Sequence, residues 1–207
     1  SFFRRRLEAI QARQGFDRAM NDALSLIETL STALAQLNTN NGLATFLHLV
    51  LKVGNCLNEG TSRGGFNGFD LRVLPKLAFI KTGDQRSTLL RFLVGFMDEH
   101  MPHAANWHTS LTALDAACVL SLSHIENLLK QCKRMLQTIK MVIVPVRNKK
   151  VYPDNQGDRF VSLMEPFHDW AMTVLSVAES RYKDTQRIYD STTDYFGVRA
   201  DVVALNE

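Results

Sequence analysis

At 207 residues with 45% hydrophobic and 22% charged content, the chain can bury a sizeable core, and its length allows one domain or two small ones. A formal net charge of +3 permits an acidic partner surface but lacks the dense basic stripe of a nucleic-acid binder. Cys56, Cys118 and Cys132 are odd in number and form no CxxC pair, which argues against a disulfide framework or zinc site and suits a reducing, intracellular compartment.

No apolar run approaches the ~20 residues that span a bilayer. Phe2, Phe3 and the run Arg4, Arg5, Arg6 lack the apolar segment of a signal peptide, and a start without Met reads as an excised fragment. Met20, Leu24, Ile27, Leu30, Leu34 and Leu37 recur at steps of three and four, predicting a helix over residues 16–37. Residues 38–42, Asn-Thr-Asn-Asn-Gly, break it. Leu43, Phe46, Leu47, Val50, Leu51 and Gly54 then form a second apolar stripe with His48 and Lys52 on the opposite face.

Asp70 can cap a short helix reaching Lys81, with Pro75 tolerated only near its start. Asp84 or Ser87 can cap the next helix, whose Leu89, Leu90, Leu93, Val94 and Met97 face inward until Pro102 stops it. From Leu111 to Val142 a near-heptad spacing runs for about thirty residues, the signature of a coiled-coil-like rod. Residues 145–157 read as a basic loop. A last helix follows from Asp158, with Pro166 as a kink or restart and Phe196-Gly197 as its close. The class is all-α: an elongated helical bundle containing a long antiparallel helical hairpin.

Residues 53–71, VGNCLNEGTSRGGFNGFDL, hold five of the chain's eleven glycines. A phosphate cradle requires a strand, then GxxxxGK[ST], then a helix; here a helix enters the loop and no Lys follows a glycine at the required place. The plain alternative is a helix stop, with Asn55 and Asn58 bonding exposed carbonyls. That leaves Gly54 and Asn55 unexplained inside the last helical turn, where both lower helix propensity and a glycine permits close approach of another chain.

Gly54-Asn55, Asn58 and Gly60, then Gly64, Gly68-Phe69, Leu71, Leu74, Lys76-Leu77 and Lys81, then Thr88-Leu89-Leu90 with Phe92-Leu93, resemble the formin homology 2 domain of actin-assembling formins. Tyr195-Phe196-Gly197 is similar to the end of that domain, while Cys56-Leu57 departs from the aromatic-containing versions of its Gly-Asn motif. The resemblance implies that residues 1–207 are a single domain, the C-terminal half comprising post and coiled-coil regions, with the N-terminal lasso, linker and most of the knob absent.

It further implies a head-to-tail dimer in which a second formin chain grips the post. Gly54, Asn55, Asn58, Gly60, Gly64, Gly65, Gly68 and Phe69 would form that post site. Lys81 matches a lysine that contacts actin, and Lys76 and Arg86 extend the patch. The implied function is actin nucleation and processive barbed-end elongation in the cytoplasm, on the cytoskeleton, with profilin or small GTPases engaged by regions outside this chain.

His100, His103 and His108 lack carboxylate or thiolate support for a metal, and no nucleophile elbow or comparable context suggests an enzyme. Neither a cofactor, nucleic acid nor membrane insertion is expected. Trp107 and Trp170 read as packing residues. The rival reading is a non-catalytic helical scaffold that binds a protein partner without acting on actin.

Overall fold

The computed structural model describes residues 2–147 and 159–197. The chain is all-α, and among these residues the one strand-like feature is an isolated antiparallel bridge between Lys81 and Thr88. In order come α1 (Phe2–Thr39), α2 (Asn41–Leu57), a 3-10 helix (Leu71–Ala78), α3 (Leu89–His100), α4 (Pro102–Ala105), a second 3-10 helix (Trp107–Ser110), α5 (Leu114–Ala117), α6 (Leu122–Arg147) and α7 (Phe160–Tyr195). No helix among the described residues is long and apolar enough to cross a membrane.

The chain divides into two compact units, Ser1–Ser31 with Asp115–Ile188, and Thr32–Leu114 with Tyr189–Glu207. In the first, α6 buries Ile125, Leu129, Cys132, Leu136, Ile139 and Val142, the alternating three- and four-residue steps that keep one seam inward. The α7 helix answers with Met164, Ala171, Leu175 and Ala178, and α1 with Ala9, Phe16, Met20, Ala23 and Ile27. Burying each large aliphatic side chain of this set contributes roughly 1.5–3 kcal/mol before its entropy cost.

Cross-helix pairs define the directions in that unit. Arg6 lies over the Phe160 ring at 4.9 Å, Arg13 over Phe167 at 5.0 Å, and Arg181 pairs with Glu28, so residue numbers rise together and α1 runs parallel to α7. The start of α6 meets the far part of α7, where Tyr182 Oη donates to Leu122 O at 3.2 Å. The α6 and α7 helices therefore form an antiparallel hairpin.

In the second unit Phe46, Leu49 and Val50 of α2, Leu77 of the first 3-10 helix, Leu93 and Met97 of α3, and Ala104 of α4 form one core cluster. Trp107 stacks on Phe46 at 5.5 Å. A Cβ on Gly42 would stand 2.4 Å from Trp107 Cβ and 2.9 Å from Ala104 O, so only glycine admits this contact. The break at Asn40 is held by its side chain, whose Oδ1 caps α2 by accepting from Leu43 N at 2.8 Å and whose Nδ2 donates to Trp107 O and Ser110 Oγ.

Several expectations are revised. The first helix begins at Phe2, because polar residues before Phe16 carry ample helix propensity. The expected thirty-residue rod from Leu111 is interrupted: Leu114–Ala117 is a separate short helix, and the long one starts only at Leu122. Thr88, rather than Asp84 or Ser87, caps α3, and Val94 is exposed. Leu49, outside the predicted stripe, is buried. The α6 helix continues through Pro145 to Arg147, and the rest of the predicted basic loop lies outside the described residues. The α7 helix runs through Pro166 as one element, without a restart. Trp170 packs against the Phe16 and Phe167 rings, with centroids at 6.4 and 5.8 Å, yet stays more than half exposed.

Candidate functional site

The glycine-rich segment leaves α2 at Leu57 and returns to a helix at Leu71. Asn58 caps the end of α2, with its N–H and Nδ2 both donating to Gly54 O, at 3.1 and 2.8 Å. Asn55 closes the loop across eleven residues: its Nδ2 donates to Phe66 O at 2.8 Å and its Oδ1 accepts from Phe66 N at 3.1 Å. An amide side chain here reproduces both hydrogen bonds of a paired backbone, which holds the loop without a strand partner.

The loop and α2 enclose an apolar groove of about 360 Å³. Val50, Leu57, Phe66, Phe69, Ile80 and Leu89 supply its apolar walls, and Gly54, Asn55, Asn58 and Gly68 also line it. The structure thus gathers five of the sequence-predicted post residues, Gly54, Asn55, Asn58, Gly68 and Phe69, around one groove. Gly60, Gly64 and Gly65 lie instead in a shallow hollow on the loop with Cys56 and Glu59. Phe66 and Ile80, which the sequence did not single out, belong to the groove; one sits in an irregular loop and the other follows a helix end, so neither carries a periodic signal.

The five glycines have different physical causes. Gly60 and Gly65 adopt φ of +75° and +77°, the left-handed region that side chains resist. A Cβ on Gly64 would lie 2.6 Å from Asn58 O, so its loop excludes any side chain. Gly54 and Gly68 meet nothing within 4 Å and carry no positive φ. Nothing among the described residues requires them to be glycine, and both line the groove.

Beyond the groove, Asp70 caps the 3-10 helix by accepting from Arg72 N at 2.9 Å. The Arg72 guanidinium bonded to it, with the backbone bond second, holds its carboxyl down to about 2. Lys76 lies in the last turn of that helix. Lys81 follows at the bridge to Thr88, and the intervening turn is held by Thr82 N donating to Ser87 O at 3.0 Å and Leu89 N to Ile80 O at 2.7 Å. Asp84, expected as a helix cap, accepts from Thr82 Oγ1 at 2.5 Å and from Arg86 N at 3.1 Å, which lowers its pKa. Lys76, Lys81 and Arg86 are all exposed and form no ion pair among the described residues. They do not line the groove, although Ile80 beside Lys81 does.

The profile of the Formin Homology 2 Domain matches residues 1–207. The chain belongs to the formin homology 2 family. This formin homology 2 chain is 29% identical over 204 residues to human Protein diaphanous homolog 3, covering 99% of the chain and 17% of that protein. It is 26% identical over 193 residues to Formin-H of Dictyostelium discoideum, covering 93% and 18%. Mouse Disheveled-associated activator of morphogenesis 2 shares 26% over 196 residues, covering 94% and 17%. The formin homology 2 chain thus spans less than a fifth of the length of these relatives.

Among the described residues no group of three or more His, Cys, Asp or Glu could hold a metal. His100 stacks on Phe96 at 4.3 Å, and Cys132 is buried, its thiol pushed up to about 11 by desolvation. This formin homology 2 surface presents an apolar groove with two open glycines, beside a set of exposed cations.

Proposed function

We propose that this chain is an actin-binding module, made of the post and coiled-coil regions of its domain, that contributes to filament nucleation and processive barbed-end elongation as part of a head-to-tail dimer. The observation that carries the reading is the pair of open glycines. A groove with apolar walls, floored at Gly54 and Gly68 by positions without side chains, suits an extended segment of a second chain whose backbone must lie close. Asn55 and Asn58 serve this contact indirectly. Their amides are engaged within the chain, so they shape the groove that the segment enters.

Lys81, with Lys76 and Arg86, faces actin in this reading. Exposed cations favour an acidic partner mainly by steering encounter and fixing orientation. Nucleation then follows from holding two actin subunits in filament-like positions, and stepping from a dimer that binds two filament-end geometries with different affinity. No covalent step is involved, and the setting is the cytoskeleton of the cytoplasm. Profilin and small GTPases belong to other parts of the full-length protein.

Seeded barbed-end elongation of actin tests this, comparing the 207-residue chain with the full-length protein that contains it. Slowed or captured barbed ends with the full-length protein, abolished when Lys81 becomes Ala, support the reading. Unchanged elongation with both proteins refutes it and leaves a helical scaffold that binds another protein.

A further inference from the structure

Phe79 terminates the Leu71–Ala78 helix, its N–H donating to Lys76 O at 2.9 Å, while its ring is 82% exposed. The turn does not need an aromatic side chain there. The capping bond is made by the backbone, and φ of −108° is open to any residue. Leaving a large apolar side chain in water forgoes the gain of burying it. Single exposed apolar residues are common, so the surroundings of Phe79 decide its meaning.

Those surroundings are specific. Ile80, the next residue, turns into the apolar groove, and Lys81 stands two residues away, within about 7 Å along the chain. Lys76 lies one turn back, and Arg86 belongs to the stapled turn that follows Lys81. The nearby carboxylates are engaged: Asp70 with Arg72, and Asp84 with Thr82 and the Arg86 amide. The result is an exposed ring and three exposed cations on one segment held at both ends by backbone bonds, so little ordering remains to be done on binding.

We propose that Phe79 is the apolar anchor of the cationic surface that carries Lys81. Its ring enters an apolar cleft of an acidic protein partner while Lys76, Lys81 and Arg86 meet carboxylates around that cleft. This division is the usual one at interfaces: a desolvated aromatic centre dominates affinity, and rim charges set encounter and orientation. The inference rests on the reading that the partner is actin.

The test uses full-length protein carrying Phe79→Ser, Phe79→Leu or Lys81→Ala, with barbed-end affinity measured at low and high salt and dimerisation followed by light scattering. Phe79→Ser is expected to weaken barbed-end binding about tenfold or more at both salt concentrations, because apolar contact is not screened, and Phe79→Leu to restore most of it. Lys81→Ala is expected to weaken binding at low salt and to flatten its salt dependence. Thermal stability stays unchanged in Phe79→Ser, since the ring is already in water.

Wild-type affinity for Phe79→Ser alongside weakened Lys81→Ala overturns the anchor and leaves the actin reading intact. Wild-type affinity for both removes this surface from the actin contact and overturns the anchor, whereas a parent protein that does not bind barbed ends overturns the actin reading itself. Loss of the dimer in Phe79→Ser assigns the ring to the contact between chains and overturns the proposal. So does lost sedimentation with phosphatidylserine vesicles at unchanged actin affinity, which assigns it to a membrane surface.

Discussion

Replacing Gly54 with Ala separates what the chain needs for its own stability from what its partner needs. Gly54 lies inside α2, three residues before its end, and a Cβ built there meets nothing within 4 Å. In a helix interior Ala is favoured over Gly by about 1 kcal/mol; fraying of the last turn reduces the gain to roughly 0.5 kcal/mol. For a chain of this size that raises the melting temperature by about 1–2 °C. Calorimetry on the 207-residue chain measures it.

Gly54 also lines the groove, and in the proposed dimer an added methyl group there would hold an approaching backbone away. Overpacking of a close contact costs on the order of 1–3 kcal/mol, so dimerisation of the full-length protein should weaken roughly tenfold or more. Sedimentation equilibrium reads this out. A stabilised chain with unchanged dimer affinity would show that no backbone lies close to Gly54, refuting the groove argument. A destabilised chain would show that the space beside Gly54 is occupied, refuting the geometry itself.

Two further outcomes follow from buried and capping groups. Asn40→Ala removes the cap of α2 together with the bonds to Trp107 O and Ser110 Oγ, which should cost about 2 kcal/mol and lower the melting temperature by roughly 4–8 °C; the exposed neighbour variant Asn41→Ala should stay within about 0.5 kcal/mol of the parent. At pH 8 iodoacetamide should modify Cys56 and Cys118, which are exposed, and spare Cys132, which is buried with its thiol held near 11; mass spectrometry finding Cys132 alkylated in the native chain would contradict the packed α6 seam.

Local signals carried much of the fold. The break at residues 38–42, the second apolar stripe and the Asp70 cap are readable because each depends on residues within one helical turn. The failures have the same origin. The near-heptad spacing from Leu111 suggested a continuous rod, yet spacing records which faces are apolar and not whether the backbone stays helical between them. Asp84 looked like a helix cap because its type suits one, but Thr82 and the Arg86 amide engage it first, and Thr88 takes the cap.

The sequence by itself determined the all-α class, the segment that carries the candidate site and the family resemblance, since these rest on local patterns and on an ordered motif of glycines, asparagines and lysines. Only the tertiary structure sorted the glycines. Gly60 and Gly65 serve backbone conformation, Gly64 avoids the Asn58 carbonyl, Gly42 admits Trp107, and Gly54 and Gly68 leave space over the groove. A missing side chain looks the same in every sequence position; what would fill its place is set by atoms brought close through folding, here from as far away as Trp107 is from Gly42. The same holds for the parallel pairing of α1 with α7, whose partners lie about 150 residues apart and share no local code.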